Sequence, residues 1–186
     1  MRIISGKLKG KKLNFLNAPS TRPLKDMVRE SIFNTILHSN LITVAIEDSM
    51  VLDIYSGTGS FGIECMSRGA TEVSFVEKDK NALKILKENL NNLSLNNKTQ
   101  VFSEDAQSFL SKKIGINKFD IFFLDPPFLN KDYLKNIENI KKEKIYKKKN
   151  LIIIHREKNS VENYKDLFDI IKINVYGRSK IIFGSF

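Results

Sequence analysis

The stretch Val51-Leu52-Asp53-Ile54-Tyr55-Ser56-Gly57-Thr58-Gly59-Ser60-Phe61-Gly62 decides how the rest of this 186-residue sequence is read. It begins as a short apolar strand, Met50–Tyr55, breaks at a glycine turn, and opens a helix over Phe61–Arg68 that Gly69 stops. Glycine at such a turn lets the backbone bend tightly and lets a ligand approach it closely. Gly57, Gly59 and Gly62 match the G-x-G-x-x-G spacing of dinucleotide-binding loops, but that spacing alone does not say which nucleoside is bound. Glu77 follows Gly59 by 18 residues, at the end of the next apolar strand, where a carboxylate can accept both hydroxyls of a ribose. Asp53 tilts the reading. A pyrophosphate would want backbone N–H groups and a helix N-terminus at this place. An acid at the loop entrance suits the amino group of an amino acid moiety better, so a methionine-bearing nucleoside is favoured over NAD.

Outward from the loop the chain alternates strands and helices. Glu72–Glu77 and Thr99–Ser103 read as strands, and Asp79 as the cap of a helix with Leu83, Leu86, Leu90 and Leu93 on one face. A helix over Ala106–Lys113 precedes Phe119–Asp125, a continuous apolar run expected of a central strand covered on both sides. Lys131–Lys142 reads as a helix and Leu151–His155 as a buried strand. Ile170–Tyr176 and Lys180–Phe183 read as a closing hairpin around Gly177-Arg178-Ser179. Upstream, Arg2–Ile4 and Lys11–Phe15 read as two short strands around a Gly/Lys turn. Pro19–Pro23 reads as a loop, and a helix follows to about His38. Such alternation implies a parallel α/β sheet, with ligands beyond the carboxyl ends of its strands. Asp53, Glu77, Asp105 and Asp125 fall at or just after four successive strand ends and are expected to converge on one rim.

Asp125-Pro126-Pro127-Phe128 follows its strand directly. Proline has no N–H, so the ladder must stop here, and the paired prolines stiffen the turn with the Pro126 carbonyl available as an acceptor. Asp125 is a second acceptor and Phe128 a flat apolar face. These parts suit a planar ring bearing an exocyclic amine. The amine lone pair is delocalised into the ring. Hydrogen bonds from its N–H groups to Asp125 and Pro126 would draw the nitrogen toward sp³ geometry and disperse developing positive charge. Placement would supply much of the rest. A base in a stacked strand must first swing out, and Phe128 offsets part of that cost. With the loop before it, the tetrapeptide points to methyl transfer onto a nucleic-acid base.

The charge agrees. Lys plus Arg is 31 and Asp plus Glu is 21, a net +10 that favours polyanionic partners. Met1 to Lys25 holds seven basic residues (Arg2, Lys7, Lys9, Lys11, Lys12, Arg22 and Lys25) and no acid, and reads as a nucleic-acid contact. A second cluster, Lys141, Lys142, Lys144, Lys147, Lys148 and Lys149, reads as a solvated face. Cys65, the only cysteine, lies in an apolar helical stretch and reads as a buried small hydrophobe, with no disulfide. There is no run of about 18 apolar residues and no apolar N-terminal leader. A cytoplasmic monomer without metal is expected.

Taken together, these segments resemble the bacterial 16S rRNA guanine-N2 methyltransferases of the RsmD type. The resemblance rests on Arg2-Ile3-Ile4-Ser5-Gly6-Lys7 with Lys9-Gly10-Lys11-Lys12-Leu13, and on Thr21-Arg22-Pro23 followed by Asp26 to Asn34. It continues through Asp53–Ser60, Gly62-Ile63-Glu64, Ser67-Arg68-Gly69-Ala70 and Asp125-Pro126-Pro127-Phe128, covering residues 1 to about 130 and, more weakly, the chain to Tyr176-Gly177. The resemblance implies a Rossmann-like class I methyltransferase: a seven-stranded, mainly parallel sheet, with a small N-terminal hairpin and helix. It divides the chain into a basic arm, 1–22, and a methyltransferase domain, 23–186. It implies S-adenosylmethionine as cofactor, bound by Asp53, Gly57, Thr58, Gly59, Glu77, Lys78, Asp105 and Ala106. It implies catalysis at Asp125, Pro126, Pro127 and Phe128, and docking on small-subunit RNA, within an assembling particle, through Arg2, Lys7, Lys9, Lys11, Lys12 and Arg22. Phe128 in place of Tyr separates it from adenine-N6 enzymes with a similar tetrapeptide. The chain departs from the family pattern at Ser5, at His155-Arg156, where an acid often follows the strand, and at Arg178-Ser179, where an acidic-Thr pair is usual. These positions lie outside the chemical motifs in sequence.

Overall fold

The computed structural model describes residues 1–16, 26–112 and 118–186. Seven strands form one sheet: β1 (Met50–Ile54), β2 (Glu72–Glu77), β3 (Thr99–Ser103), β4 (Phe119–Leu124), β5 (Tyr146–Glu157), β6 (Asp169–Tyr176) and β7 (Ser179–Ser185). Their order is β3-β2-β1-β4-β5-β7-β6. The first five run parallel; β7 is antiparallel to both β5 and β6. The direction of winding reverses between β1 and β4, the switch point where doubly wound sheets open a crevice for ligands.

Two apolar layers cover the sheet. On one face α1 (Asp26–His38), α2 (Ser60–Ser67) and α3 (Lys80–Asn92) bury Ile32, Phe33, Phe61, Leu86 and Leu90 against Val51, Phe75 and Phe123. The rings of Phe33, Phe61 and Phe123 stack in series, with centroid separations of 5.1 and 4.0 Å. On the other face α4 (Ala106–Ser111) and α5 (Tyr133–Glu143) bury Phe109, Leu110, Tyr133, Ile137 and Ile140 against Leu52, Phe122 and Ile152. The unbroken apolar run of β4 is thus a strand covered on both faces, as its composition requires. Asp79 caps α3 by accepting the Ala82 N–H at 2.8 Å. Cys65 is buried, and burial pushes its thiol pKa well up.

The second lysine cluster is a solvated face, as expected, with only Lys147 part-buried among its six lysines. β5 starts at Tyr146, so Lys147, Lys148 and Lys149 belong to a strand. Lys147 ion-pairs with Asp120 of β4 at 2.7 Å, and the β4–β5 register shifts beside it. Charge on an exposed strand start carries no apolar period, which is why composition places the strand only from Leu151.

The N-terminal hairpin keeps a single bridge between Arg2 and Lys12, with N–H groups of Ile3, Gly10 and Leu13 donating across it. It is fastened to α2. Buried Glu64 accepts the N–H groups of Ile4 and Ser5 at 2.8 and 2.9 Å, and the Arg68 guanidinium at 2.9 Å. Ser67 bonds Ser5, Lys7 and Leu8. Ile3 and Leu13 join the main core. Among the described residues, no helix is long and apolar enough to cross a membrane.

Candidate active site

Because β3, β2, β1 and β4 lie side by side, the four strand-end acids are brought together. Asp53, Glu77, Asp105 and Asp125 all line one cavity of about 720 Å³. Gly57, Thr58, Lys78, Ala106, Pro126, Pro127 and Phe128 line it too. One expected cofactor residue is placed otherwise. Gly59 does not line the cavity; it holds φ 83° at the start of α2, and a Cβ there would meet the Leu86 side chain at 2.4 Å. Its value lies in letting α3 pack beneath the loop. Arg22 lies outside the described residues.

Asp53 is 1 % exposed. Its Oδ2 accepts the Gly62 N–H at 3.0 Å, while its Oδ1 is buried with no partner. Burial raises its pKa well above the ordinary carboxylate range, and the charges of Asp125 and Glu77 add to the rise against the opposing Gly62 bond. A buried carboxylate with one unsatisfied oxygen is costly alone and is relieved by a cationic donor. Glu77 is fixed by the loop it faces: Gly57 N–H donates to Oε2, and Lys78 and Asp79 N–H groups donate to Oε1, each at 2.8 Å. Gly57 itself has φ 55° and nothing within 4 Å of where a Cβ would stand, so its backbone is open to an approaching group. Asp105 caps α4, accepting the Ser108 N–H and hydroxyl at 2.9 and 2.7 Å, and these bonds lower its pKa.

The Asp125–Phe128 turn continues the wall from the end of β1, the Asp125 N–H donating to the Ile54 carbonyl at 3.4 Å. Asp125 Oδ1 lies 2.8 Å from His155 Nδ1, and the Phe128 ring meets the His155 ring edge-on at 5.4 Å. Among the described residues no hydrogen bond is made to the Pro126 carbonyl. Arg156, 1 % exposed, donates to the carbonyls of Pro127 and Phe128 at 3.3 and 2.7 Å and is itself held by Glu162 at 2.9 Å. The turn is therefore braced from β5 by two adjacent residues. The sequence places His155 at a strand end, with substrate contact as an alternative, and marks His155-Arg156 as a departure outside the chemical motifs. The parallel register of β4 and β5 pairs Leu124 with Ile154 and puts both residues beside the turn.

Met1, Phe15 and Leu16, at the two ends of the hairpin, also line the cavity. The side chains of Arg2, Lys7, Lys9, Lys11 and Lys12 are exposed on the hairpin beside it. Among the described residues no group of three or more His, Cys, Asp and Glu side chains is arranged to hold a metal.

Residues 1–185 match the family model described as conserved hypothetical protein 95. A Haemophilus influenzae protein named ribosomal RNA small subunit methyltransferase D is 38% identical over 129 residues, covering 69% of this chain and 64% of that one. The chain thus spans just under two thirds of that relative's length. A Buchnera aphidicola protein of the same name is 34% identical over 156 residues, covering 84% of this chain and 78% of its own. Among solved structures, an Escherichia coli chain described as a candidate methyltransferase, yhhF, superposes with a TM-score of 0.84 at 27% identity, covering 100% of this chain and 97% of that one. With its seven-stranded, mainly parallel class I methyltransferase sheet, its strand-end acids and its Asp-Pro-Pro-Phe turn, the chain belongs to the family that includes the bacterial ribosomal RNA small subunit methyltransferases D.

Proposed function

We propose that this chain is an S-adenosylmethionine-dependent methyltransferase that modifies the exocyclic N2 amine of a guanine in 16S ribosomal RNA. The observation that carries the reading is that one cavity is lined by both the Asp125–Phe128 turn and the buried Asp53, whose Oδ1 has no partner among the described residues. The residues fit the cofactor. Asp53 Oδ1 is a buried acceptor lacking a donor, as an α-ammonium group would supply, and the open Gly57 backbone leaves room beside it. Glu77 is held in place to accept ribose hydroxyls, and Lys78, Asp105 and Ala106 extend the same wall toward the adenine. S-adenosylmethionine, when bound, supplies an electrophilic methyl group on a sulfonium.

The chain's own groups handle the amine. Asp125 and the Pro126 carbonyl accept its two N–H bonds, raising electron density at nitrogen, and Phe128 stacks on the base. The nitrogen loses one proton as it gains the methyl, and Asp125, already hydrogen-bonded to it, is the acceptor within reach. The exposed cations of the 1–22 arm bind RNA phosphates, in a small-subunit assembly particle, and deliver the base to domain 23–186. Methyl transfer to small-subunit RNA lacking the modification, followed by nucleoside analysis, tests the reading. N2-methylguanosine is expected; N6-methyladenosine would overturn the choice of base, and tight NAD binding without S-adenosylmethionine binding would overturn the cofactor.

A further inference from the structure

Asp125 belongs to a three-residue chain that crosses three strands. His155, near the end of β5, touches Asp125 Oδ1 through Nδ1 at 2.8 Å, and its Nε2 lies 2.9 Å from Ser179 Oγ at the start of β7. The imidazole side chain is only 7% exposed, and the antiparallel β5–β7 register holds it against Ser179. His155 lines the cavity; Arg156, its neighbour, does not.

We propose that His155 is a positioning residue for the methyl-transfer reaction, holding the Asp125 carboxylate by one oxygen so that the other faces the substrate amine, with Ser179 fixing the imidazole tautomer that does so. The inference rests on the function proposed above. A neutral imidazole has one donor nitrogen and one acceptor nitrogen. A carboxylate only accepts, so Nδ1 must carry the hydrogen; the opposite tautomer would face lone pair to lone pair at 2.8 Å. Nε2 is then an acceptor, and the Ser179 hydroxyl, which can rotate to donate, matches it at 2.9 Å. The gain is orientational. The last torsion of aspartate is broad and nearly two-fold, so an unbraced carboxylate samples many orientations. The His155 bond selects one, and among the described residues the second oxygen takes no other hydrogen bond. The same ring packs edge-on against Phe128 at 5.4 Å, so one side chain spaces the amine acceptor from the stacking face. Arg156 divides the labour, bonding the Pro127 and Phe128 carbonyls and so fixing the backbone of the turn.

The test compares His155→Leu, His155→Gln and His155→Asn in methyl transfer to small-subunit RNA. The asparagine amide nitrogen takes the place of Nδ1, whereas the glutamine amide reaches toward Nε2. Leu and Gln are expected to lower kcat about 10- to 100-fold, and Asn to restore most of it. The KM for S-adenosylmethionine is expected to stay within about threefold throughout, since the interaction lost acts on the transition state rather than on cofactor binding. Equal losses in Asn and Leu, or a loss carried by KM, would overturn the proposal. An activity-free readout stands beside it. The chain has two histidines, so ¹⁵N imidazole resonances of the resting protein are assigned by comparison with His155→Asn. The Nδ1–H tautomer is expected at His155, with Ser179→Ala shifting it toward a mixture. A dominant Nε2–H form in the wild type, or no response to Ser179→Ala, would overturn the proposal even in an active enzyme. Wild-type protein that methylates no RNA would instead refute the function, while the tautomer result still judges the contact.

Discussion

At Asp53 the protein keeps a buried carboxyl group that its fold only half satisfies. Its pKa is raised first by burial, so its contribution to stability is fully present below the ordinary carboxylate range and is lost as pH rises through the raised folded-state value. Asp53→Asn removes this titration. The stability of the wild type relative to Asp53→Asn should therefore fall as pH rises, measured by urea unfolding of ligand-free protein at constant ionic strength; a relative gain with rising pH would refute the assignment. The same variant should bind S-adenosylmethionine about tenfold more weakly or worse by calorimetry, because a bond to a charged acceptor is lost. Asp125 is the contrasting case. It is part-exposed, partnered by His155, and placed where the amine is expected rather than the cofactor. Asp125→Ala should cut kcat about 100- to 1000-fold with cofactor affinity nearly unchanged. A collapse of cofactor affinity would show that Asp125 is not chiefly an amine acceptor. Both residues were legible in the sequence because each sits at a strand end beside glycine or proline, where a side chain must face a ligand crevice. Ser179 was not, and His155 was read only as a strand-end residue with substrate contact as an alternative. Their roles depend on which strands pair: the closing hairpin of β6 and β7 was legible, but no local pattern announces that it sets β7 beside β5.

Among the elements, the alternating strands and helices were legible wherever apolar periodicity was strong, as in β4 and in the Leu83–Leu90 face of α3. The start of β5 was hidden by lysines, and the docking of the hairpin by its brevity. That docking depends on Gly6, which holds φ 81° and whose Cβ, if present, would stand 1.9 Å from the Ser67 carbonyl oxygen. Gly10 has a similar φ of 84° but nothing within 4 Å. The pair separates conformational cost from collision. Gly10→Ala should destabilise by about 1 kcal/mol, the penalty of a left-handed residue alone. Gly6→Ala should cost more and lift the hairpin from α2, breaking the bonds to Glu64 and Ser67. Limited trypsin digestion reads the difference: cleavage after Lys7 should accelerate in Gly6→Ala well beyond Gly10→Ala, since proteolysis follows local opening. Equal rates in the two variants would mean that the α2 contacts do not hold the hairpin.

For the whole molecule, the surplus of +10 matters by where it lies. The hairpin carries Arg2, Lys7, Lys9, Lys11 and Lys12 exposed, and its two ends, at Met1 and Phe15, line the cavity. A phosphate backbone gripped there would run past the mouth of the site, and the hairpin proposed to bind it is joined to the α/β domain through Glu64 of α2. Counterion release gives this a measurable form. Each phosphate neutralised adds about 0.7 to 0.9 to the slope of log affinity against log salt. Reversing Lys7, Lys9, Lys11 and Lys12 to Glu should lower the slope for small-subunit RNA by about 3 and raise the KM for RNA. At saturating RNA, kcat should be largely retained, because the lysines replaced are placed to bind phosphates without touching the amine. An unchanged salt slope would exclude the hairpin as the docking surface. A fall in kcat at saturation with an intact slope would mean that the hairpin acts on the cavity it flanks rather than on the RNA.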